Sequence, residues 1–301
     1  MAMRSDRLSR DAAGAVNVLL IVLIAVLMVS ASTVVILLYQ GGQSEESTKT
    51  VVVAGDQIKV DYIGKLNDGR VFDTSLYYVA SNDAAYPKTL SFNLRSNSSY
   101  TPLAFTVGSG QMISGFDAAV VGMRVGETKT VVLTPDQAYG DMDPSKLVTF
   151  SLAQSEPLLR TFTAASFQAE YGVAPAAGLT VYDPVYGWPA QVLEHDTMAN
   201  KVTVMNSPTV QGEYHVFGEG SAGWDVLVTN VDSNSNTVTL VHQLTDGDSD
   251  MVKGVDDIGT FFITMVDEAD GTAVRNYNTE LLGKTLVFTI TLKEIVEMAS
   301  S

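Results

Sequence analysis

Residues Val18 to Tyr39 read VLLIVLIAVLMVSASTVVILLY, 22 positions without a charged side chain. No other stretch restricts the chain so strongly. A helix that is apolar all round has no face to turn to water. A membrane span needs about 20 such residues, and this segment supplies them. Arg4, Arg7 and Arg10 precede it, whereas Glu45 and Glu46 follow it. Positive flanks stay in the cytoplasm, so the rest of the chain is expected on the outer side. A cleaved signal peptide is the competing reading, because Val29-Ser30-Ala31 offers small residues for cleavage. The apolar run continues beyond that point from Ser32 to Tyr39, further than a signal core requires, which favours a retained anchor. The expected order is a cytoplasmic N-terminus (1–17), a membrane helix (18–39) and a polar linker (40–50, QGGQSEESTKT).

Composition excludes several functions. Lys and Arg number 18 against 34 Asp and Glu, a net charge of −16. Nucleic-acid binding needs clustered basic charge, so it is not expected. Cysteine is absent, which rules out disulfides, thiol catalysis and thiolate zinc sites. His195, His215 and His242 are the only histidines and no two are spaced four apart, so a histidine metal site has little to work with. No cofactor is expected.

From Val51 onward the pattern is mostly that of β structure. Gln57 to Gly64 alternates, with Ile58, Val60 and Tyr62 on one face and Lys59 and Asp61 on the other. Asn67-Asp68-Gly69 is a strong hairpin turn signal. Leu103, Phe105 and Val107 alternate again, and Thr128 to Leu133 forms a further strand. Ser114 to Met123 is the best short helix: Ser114 is placed to cap it, and Phe116, Ala119 and Val120 fall at i, i+3, i+4. Lys284 to Leu292 sets Leu286, Phe288, Ile290 and Leu292 on one face of a last strand.

The middle of the chain carries an internal repeat at an interval of 36 residues, from Gly187-Trp188 to Gly223-Trp224. Val192, Asp196, Asn200, Val202 and Thr203 recur as Val228, Asp232, Asn236, Val238 and Thr239. Each copy reads strand, Asn/Asp turn, strand. Similar composition among hairpins is the plain alternative; the shared Gly-Trp and the common phase favour duplication. The two Trp are expected in hairpin cores.

Three segments flank this region. Val60-Asp61-Tyr62-Ile63-Gly64 leads into Leu66-Asn67-Asp68-Gly69-Arg70-Val71-Phe72-Asp73-Thr74-Ser75. Phe105-Thr106-Val107-Gly108-Ser109-Gly110-Gln111-Met112-Ile113-Ser114-Gly115-Phe116-Asp117 continues through Gly122-Met123-Arg124-Val125-Gly126-Glu127 to Ala138-Tyr139-Gly140. Leu282-Gly283-Lys284-Thr285-Leu286-Val287-Phe288 closes the series. Together, and in this order, they resemble the FKBP-type prolyl isomerases.

The resemblance implies an α+β fold, a twisted antiparallel sheet around a short helix, discontinuous in sequence: 51–149 and 277–298, split by a β-rich insert at 150–276. It also implies the chemistry. X–Pro rotation is opposed by about 20 kcal/mol of amide resonance. Catalysis needs no nucleophile or metal, only an apolar cup that favours the twisted amide over the planar one. By the resemblance, Tyr62, Phe72, Asp73 and Tyr139 are the catalytic residues, and Met112, Ile113, Phe116 and Phe288 bind substrate. Phe116 is implied as the floor, where many members have Trp. The Ile113 N–H and Tyr139 hydroxyl are implied to bind substrate carbonyls, and Asp73 to sit at the rim. Leu103 stands where the family often has an aromatic. Read without the resemblance, Tyr62, Phe105 and Phe288 on their alternating strands could simply be core, which is preferred for Phe105 and balanced against the site for Phe288, and Tyr139-Gly140 could be an ordinary turn.

Similar members, the SlyD-like ones, place a β-rich chaperone flap where this insert begins. The implied protein is a prokaryotic, membrane-anchored isomerase of archaeal kind acting on unfolded or proline-containing polypeptides outside the cytoplasm, with a client-binding insert. The alternative is a catalytically weak FKBP-like binding module in a surface chaperone or adhesion protein.

Overall fold

The computed structural model describes residues 51–297. The expected membrane helix at 18–39 and linker at 40–50 lie outside the described residues. Among the described residues, no helix is long and apolar enough to cross a membrane.

The first strands are β1 (Gln57–Leu66), β2 (Val71–Thr74), β3 (Leu103–Thr106) and β4 (Thr128–Leu133). In β1 the alternation works as expected: Ile58 and Val60 are buried, while Lys59 and Asp61 turn to the other face. Between β1 and β2, Gly69 takes φ +95°, a conformation that side chains with a Cβ rarely adopt. Asp68 fastens this turn by accepting from the Arg70 backbone N–H (2.9 Å) and from Arg70 Nε (2.8 Å). The segment between β2 and β3 carries helix α1 (Tyr77–Ala80) and a 3-10 turn at Asn97–Ser99.

Helix α2 spans Ser114–Val120, three residues shorter than the sequence suggests, and buries Phe116, Ala119 and Val120 as the spacing requires. Its cap differs from expectation. Ile113 occupies the N-cap and no side chain bonds there. The Ser114 hydroxyl instead donates to the Gln137 carbonyl at 3.3 Å. That contact ties the helix start to the segment preceding Tyr139, at the expense of the cap.

The chain then builds β5 (Leu147–Ser151), β6 (Ala153–Pro157), β7 (Leu159–Phe162), α3 (Ala164–Tyr171), β8 (Thr180–Tyr182), β9 (Pro189–Asp196) and β10 (Lys201–Asn206). It continues with β11 (Glu213–Val216), β12 (Trp224–Asp232), β13 (Thr237–His242), β14 (Val252–Val255), β15 (Thr260–Asp267) and β16 (Thr272–Asn276). These make three four-stranded antiparallel sheets, β7-β10-β9-β8, β11-β12-β13-β6 and β14-β15-β16-β5.

The three sheets are copies of one plan. The hairpin β9–β10 closes at Asp196↔Lys201 and shifts register between Thr203 and Val204. Hairpin β12–β13 closes at Asp232↔Thr237 and shifts at the equivalent place, between Val228 and Asn230. Hairpin β15–β16 does the same, closing at Asp267↔Thr272 and shifting between Ile263 and Met265. The last turn residue is left-handed in each: Asn200 (φ 48°), Asn236 (φ 57°) and Gly271 (φ 63°). Sequence comparison finds two copies, because the third has lost the Gly-Trp pair and has Gly in place of Asn. The inward positions match as Val192, Val228 and Ile263, all buried. Opposite them stand Val204, Leu240 and Arg275. Arg275 replaces an apolar residue and is enclosed by the rings of Phe217 (4.2 Å), Phe150 (4.7 Å) and Phe261 (5.1 Å). Trp188 and Trp224 are buried in this part of the molecule.

β5 crosses position 149 and pairs with β16 from Ser151↔Thr272 to Leu147↔Asn276, so the insert stands on a two-stranded neck. After it, β17 (Leu286–Glu297) returns to the first sheet, starting two residues later than the sequence pattern suggests and running further. The order there is β2-β1-β17-β4, with β3 also on β1. β17 is therefore an inner strand, bonded to β1 through Leu66↔Leu286 to Gln57↔Glu297 and to β4 through Leu286↔Leu133 to Thr291↔Thr128. Its inward residues Leu286, Phe288, Ile290 and Leu292 join Ile58, Val60, Phe105 and Phe116 in one core.

Candidate functional site

Over this core the sheet and α2 leave an open cavity of about 300 Å³. β1 contributes Tyr62, β2 contributes Phe72 and Asp73, and β17 contributes Phe288. The loop entering α2 brings Met112 and Ile113, α2 brings Phe116, and the segment after β4 brings Tyr139. All eight residues singled out in the sequence thus line one cavity. Leu103 and Gln111 complete the lining.

The floor is a cluster of rings. Phe116 is 3 % exposed and meets Phe288 edge-on at 5.1 Å and Tyr62 at 6.0 Å. Phe72 meets Phe288 edge-on at 5.4 Å. Edge-to-face packing holds each ring at a fixed tilt, so the walls are set before anything binds. Phe105 stands behind Phe116 at 5.8 Å and is core, as its strand position suggests. Gly64 makes the arrangement possible. A Cβ there would lie 2.6 Å from Phe72 Cζ and 3.0 Å from Phe288 Cε1.

The rim is polar and ordered. The Tyr62 hydroxyl donates to Asp73 Oδ2 at 2.5 Å, and Asp73 Oδ1 accepts from the Thr74 N–H at 2.8 Å. Burial, with the Asp73 charge and hydrogen bond behind it, pushes the Tyr62 phenol far above its ordinary range. Burial, then Asp73, also raises Tyr139. Both tyrosines are therefore protonated donors at neutral pH. Tyr139 is 48 % exposed and stands at the mouth. The Ile113 N–H, at the start of α2, has no hydrogen-bond partner among the described residues. An apolar cup with aromatic walls and a few fixed donors at its edge can hold a compact apolar ring and a neighbouring carbonyl.

Sequence reasoning missed Arg95. Its Nη2 donates to Asp73 Oδ1 at 3.1 Å and to the Thr74 carbonyl at 2.7 Å, and its guanidinium lies over the Tyr100 ring at 4.8 Å. Arg95 comes from the polar loop after β2, where nothing in the local pattern distinguishes it from a solvated charge. Gln111 was within reach, since it adjoins Met112 in the same motif; its Oε1 accepts from the Thr106 N–H at 3.1 Å.

Comparison with known proteins finds relatives of the part that holds this cavity. Residues 48–158 match the family described as FKBP-type peptidyl-prolyl cis-trans isomerase. The short-type peptidyl-prolyl cis-trans isomerase of Methanocaldococcus jannaschii is 44 % identical over 94 residues, covering 31 % of this chain and 54 % of that protein. FK506-binding protein 1A of Neurospora crassa is 34 % identical over 87 residues, covering 29 % and 55 %. Among solved structures, the crystal structure of AtFKBP13 is 31 % identical with a TM-score of 0.22, covering 31 % of this chain and 62 % of that one. The chain spans about half the length of the first two of these relatives. The family match ends within the insert and leaves out β17.

Proposed function

We propose that this chain, which carries an FKBP-type peptidyl-prolyl cis-trans isomerase domain, accelerates rotation about X–Pro bonds of polypeptides held in the cup. The observation that carries the reading is the meeting of Tyr62, Phe72, Asp73, Met112, Ile113, Phe116, Tyr139 and Phe288 around one cavity with Phe116 as its floor. The proline ring packs on Phe116 between Tyr62, Phe72 and Phe288. The Tyr139 hydroxyl and the Ile113 N–H donate to carbonyls on either side of the ring and so fix the flanking chain. With the flanks fixed, the amide turns within an apolar setting. Its planar form is the more dipolar one and loses most from desolvation, so the barrier of about 18–20 kcal/mol falls. Asp73, held by Tyr62, Thr74 and Arg95, orders the rim. No electron pair is transferred and no bond is broken.

The test is isomerisation of a short X–Pro peptide by the full chain. Catalysis that falls at least tenfold in a folded Phe72→Ala variant supports the reading; a folded wild-type chain that leaves the rate at the buffer value removes it.

We also propose that the protein is anchored by residues 18–39, is oriented with its N-terminus in the cytoplasm, and serves exported clients. The uncharged stretch and its preceding arginines support this. Protease added to intact cells should remove the part after residue 50; a protected chain overturns the orientation. The insert is proposed to hold unfolded clients in the manner of a SlyD-like flap. Its place in the chain, after Tyr139 and before Phe288, and its three β-sheets support this. Unchanged suppression of client aggregation after excision of the insert would remove that proposal.

A further inference from the structure

A second cavity adjoins the cup. It holds about 570 Å³ and is lined by Tyr139, Ser91, Thr260, Phe262, Tyr277 and Leu281, among others. Tyr139 lines both cavities. The far wall comes from the third hairpin of the insert, through β15. In the shared register Phe262 takes the place held by Gln191 in the first hairpin and Leu227 in the second. These positions face away from the side bearing Val192, Val228 and Ile263. A phenylalanine there does not serve its hairpin's inner core, yet it is 7 % exposed.

Three polar side chains around the cavity are already engaged. The Glu280 carboxylate accepts from the backbone N–H groups of Leu90 (3.0 Å) and Ser91 (2.6 Å). The Tyr277 hydroxyl donates to Asp256 Oδ2 (2.6 Å), and the Asn278 amide donates to the Asp143 carbonyl (3.0 Å). What remains open is largely apolar surface.

We infer that this groove takes an apolar side chain of the same extended polypeptide whose proline occupies the cup, so that the insert takes part in choosing the client. The inference rests on the isomerase reading of the cup. Continuity through Tyr139 is its warrant. An extended chain advances about 3.3–3.6 Å per residue, and on leaving the cup past Tyr139 it meets the groove. Burying a charged residue there without a partner is unfavourable, so Leu, Phe or Met is selected over Asp or Lys. Once the proline is seated, the second contact is intramolecular, and a weak groove interaction suffices to lengthen residence.

The test uses the full chain and two kinds of peptide. One is a short X–Pro peptide that fills the cup alone. The other is a longer peptide with one Leu stepped through the positions on both sides of the proline, compared with Ala at the same positions. The variants are Thr260→Arg and Thr279→Arg, both at exposed residues outside the cup. In the wild type, Leu at one or two positions lowers KM about tenfold relative to Ala, the scale expected for burying such a side chain. Thr260→Arg abolishes that gain and leaves kcat/KM for the short peptide unchanged. No position-dependent gain in the wild type, or equal losses on both peptides in the variant, overturns the inference. If the wild type catalyses neither peptide, the isomerase reading fails. The groove is then judged by fluorescence anisotropy of the labelled Leu peptide, and binding that Thr260→Arg does not weaken overturns it as well.

Discussion

Individual residues set the cup to tolerances of a few tenths of an ångström. Gly64 shows this most directly, because its missing Cβ is where the Phe72 ring lies. Gly64→Ala pushes Phe72 into the cavity or distorts β1. Overpacking of this kind costs about 1–3 kcal/mol, so the expected outcome is a lower urea midpoint together with a loss of kcat/KM beyond what unfolding explains. Arg95 behaves differently. Its ion pair with Asp73 is about two-fifths exposed on both sides, and pairs so exposed contribute about 0–1 kcal/mol. Arg95→Ala is expected to leave the melting midpoint within a degree or two while changing kcat/KM for X–Pro peptides, since its partner is the rim carboxylate. The tyrosines give a third outcome. Because burial and Asp73 hold the Tyr139 phenol above its usual range, and burial does the same for Tyr62, both keep their protons beyond the ordinary tyrosine value of about 10. Activity measured from pH 7 to about 10.5 should be flat; a fall with an apparent pKa near 10 would mean that one of them ionises as a free phenol does.

Among the elements, the hairpins of the insert carry a titration of their own. His242, at the end of β13, accepts a hydrogen bond at Nδ1 from Trp224 Nε1 (2.9 Å), while its Nε2 is buried without a partner among the described residues. Burial, and then the nearby Arg275 charge, lowers its pKa from 6.5 to about 4. Between those values the unfolded chain binds a proton that the folded chain refuses. Stability is therefore full above pH 6.5 and is lost as the pH falls toward 4. The loss is on the order of 3 kcal/mol, read as the difference between urea unfolding at pH 7 and at pH 4.5 and reduced in a His242→Gln variant. None of this is legible from one histidine in a sequence, because the Trp partner and the charged neighbour come from other strands. The hairpin itself is legible, through the alternation and the Asn turn. The third hairpin is not, because backbone geometry preserves it after the side chains that marked the other two have changed. Likewise the cup residues lie in contiguous motifs and could be read from sequence, whereas Arg95 reaches Asp73 from a loop whose path only the folded chain fixes.

For the whole molecule, the neck decides what can be removed. Leu147 and Asn276 face each other across a ladder, where paired Cα atoms lie about 5 Å apart. Replacing residues 148–275 with a two-residue turn should leave a folded, soluble domain that keeps the cup, as judged by circular dichroism and, on the proposed function, short-peptide activity. A fragment that ends at residue 158 contains every cup residue except Phe288, yet it should fail to fold. It lacks the inner strand, and β1 and β4 each lose a neighbour along their length. A stable, monomeric fragment 51–158 would overturn this account of the sheet.

The inner position of β17 also fixes an order in time. On the ribosome, β1 to β4 emerge early but must wait, with their apolar faces uncovered, for β17. The three sheets between them are complete once β16 has emerged, before β17 begins. Domains generally fold as units during synthesis. The insert can thus be complete before the cavity closes around Phe288, which is the last of the lining residues to be made.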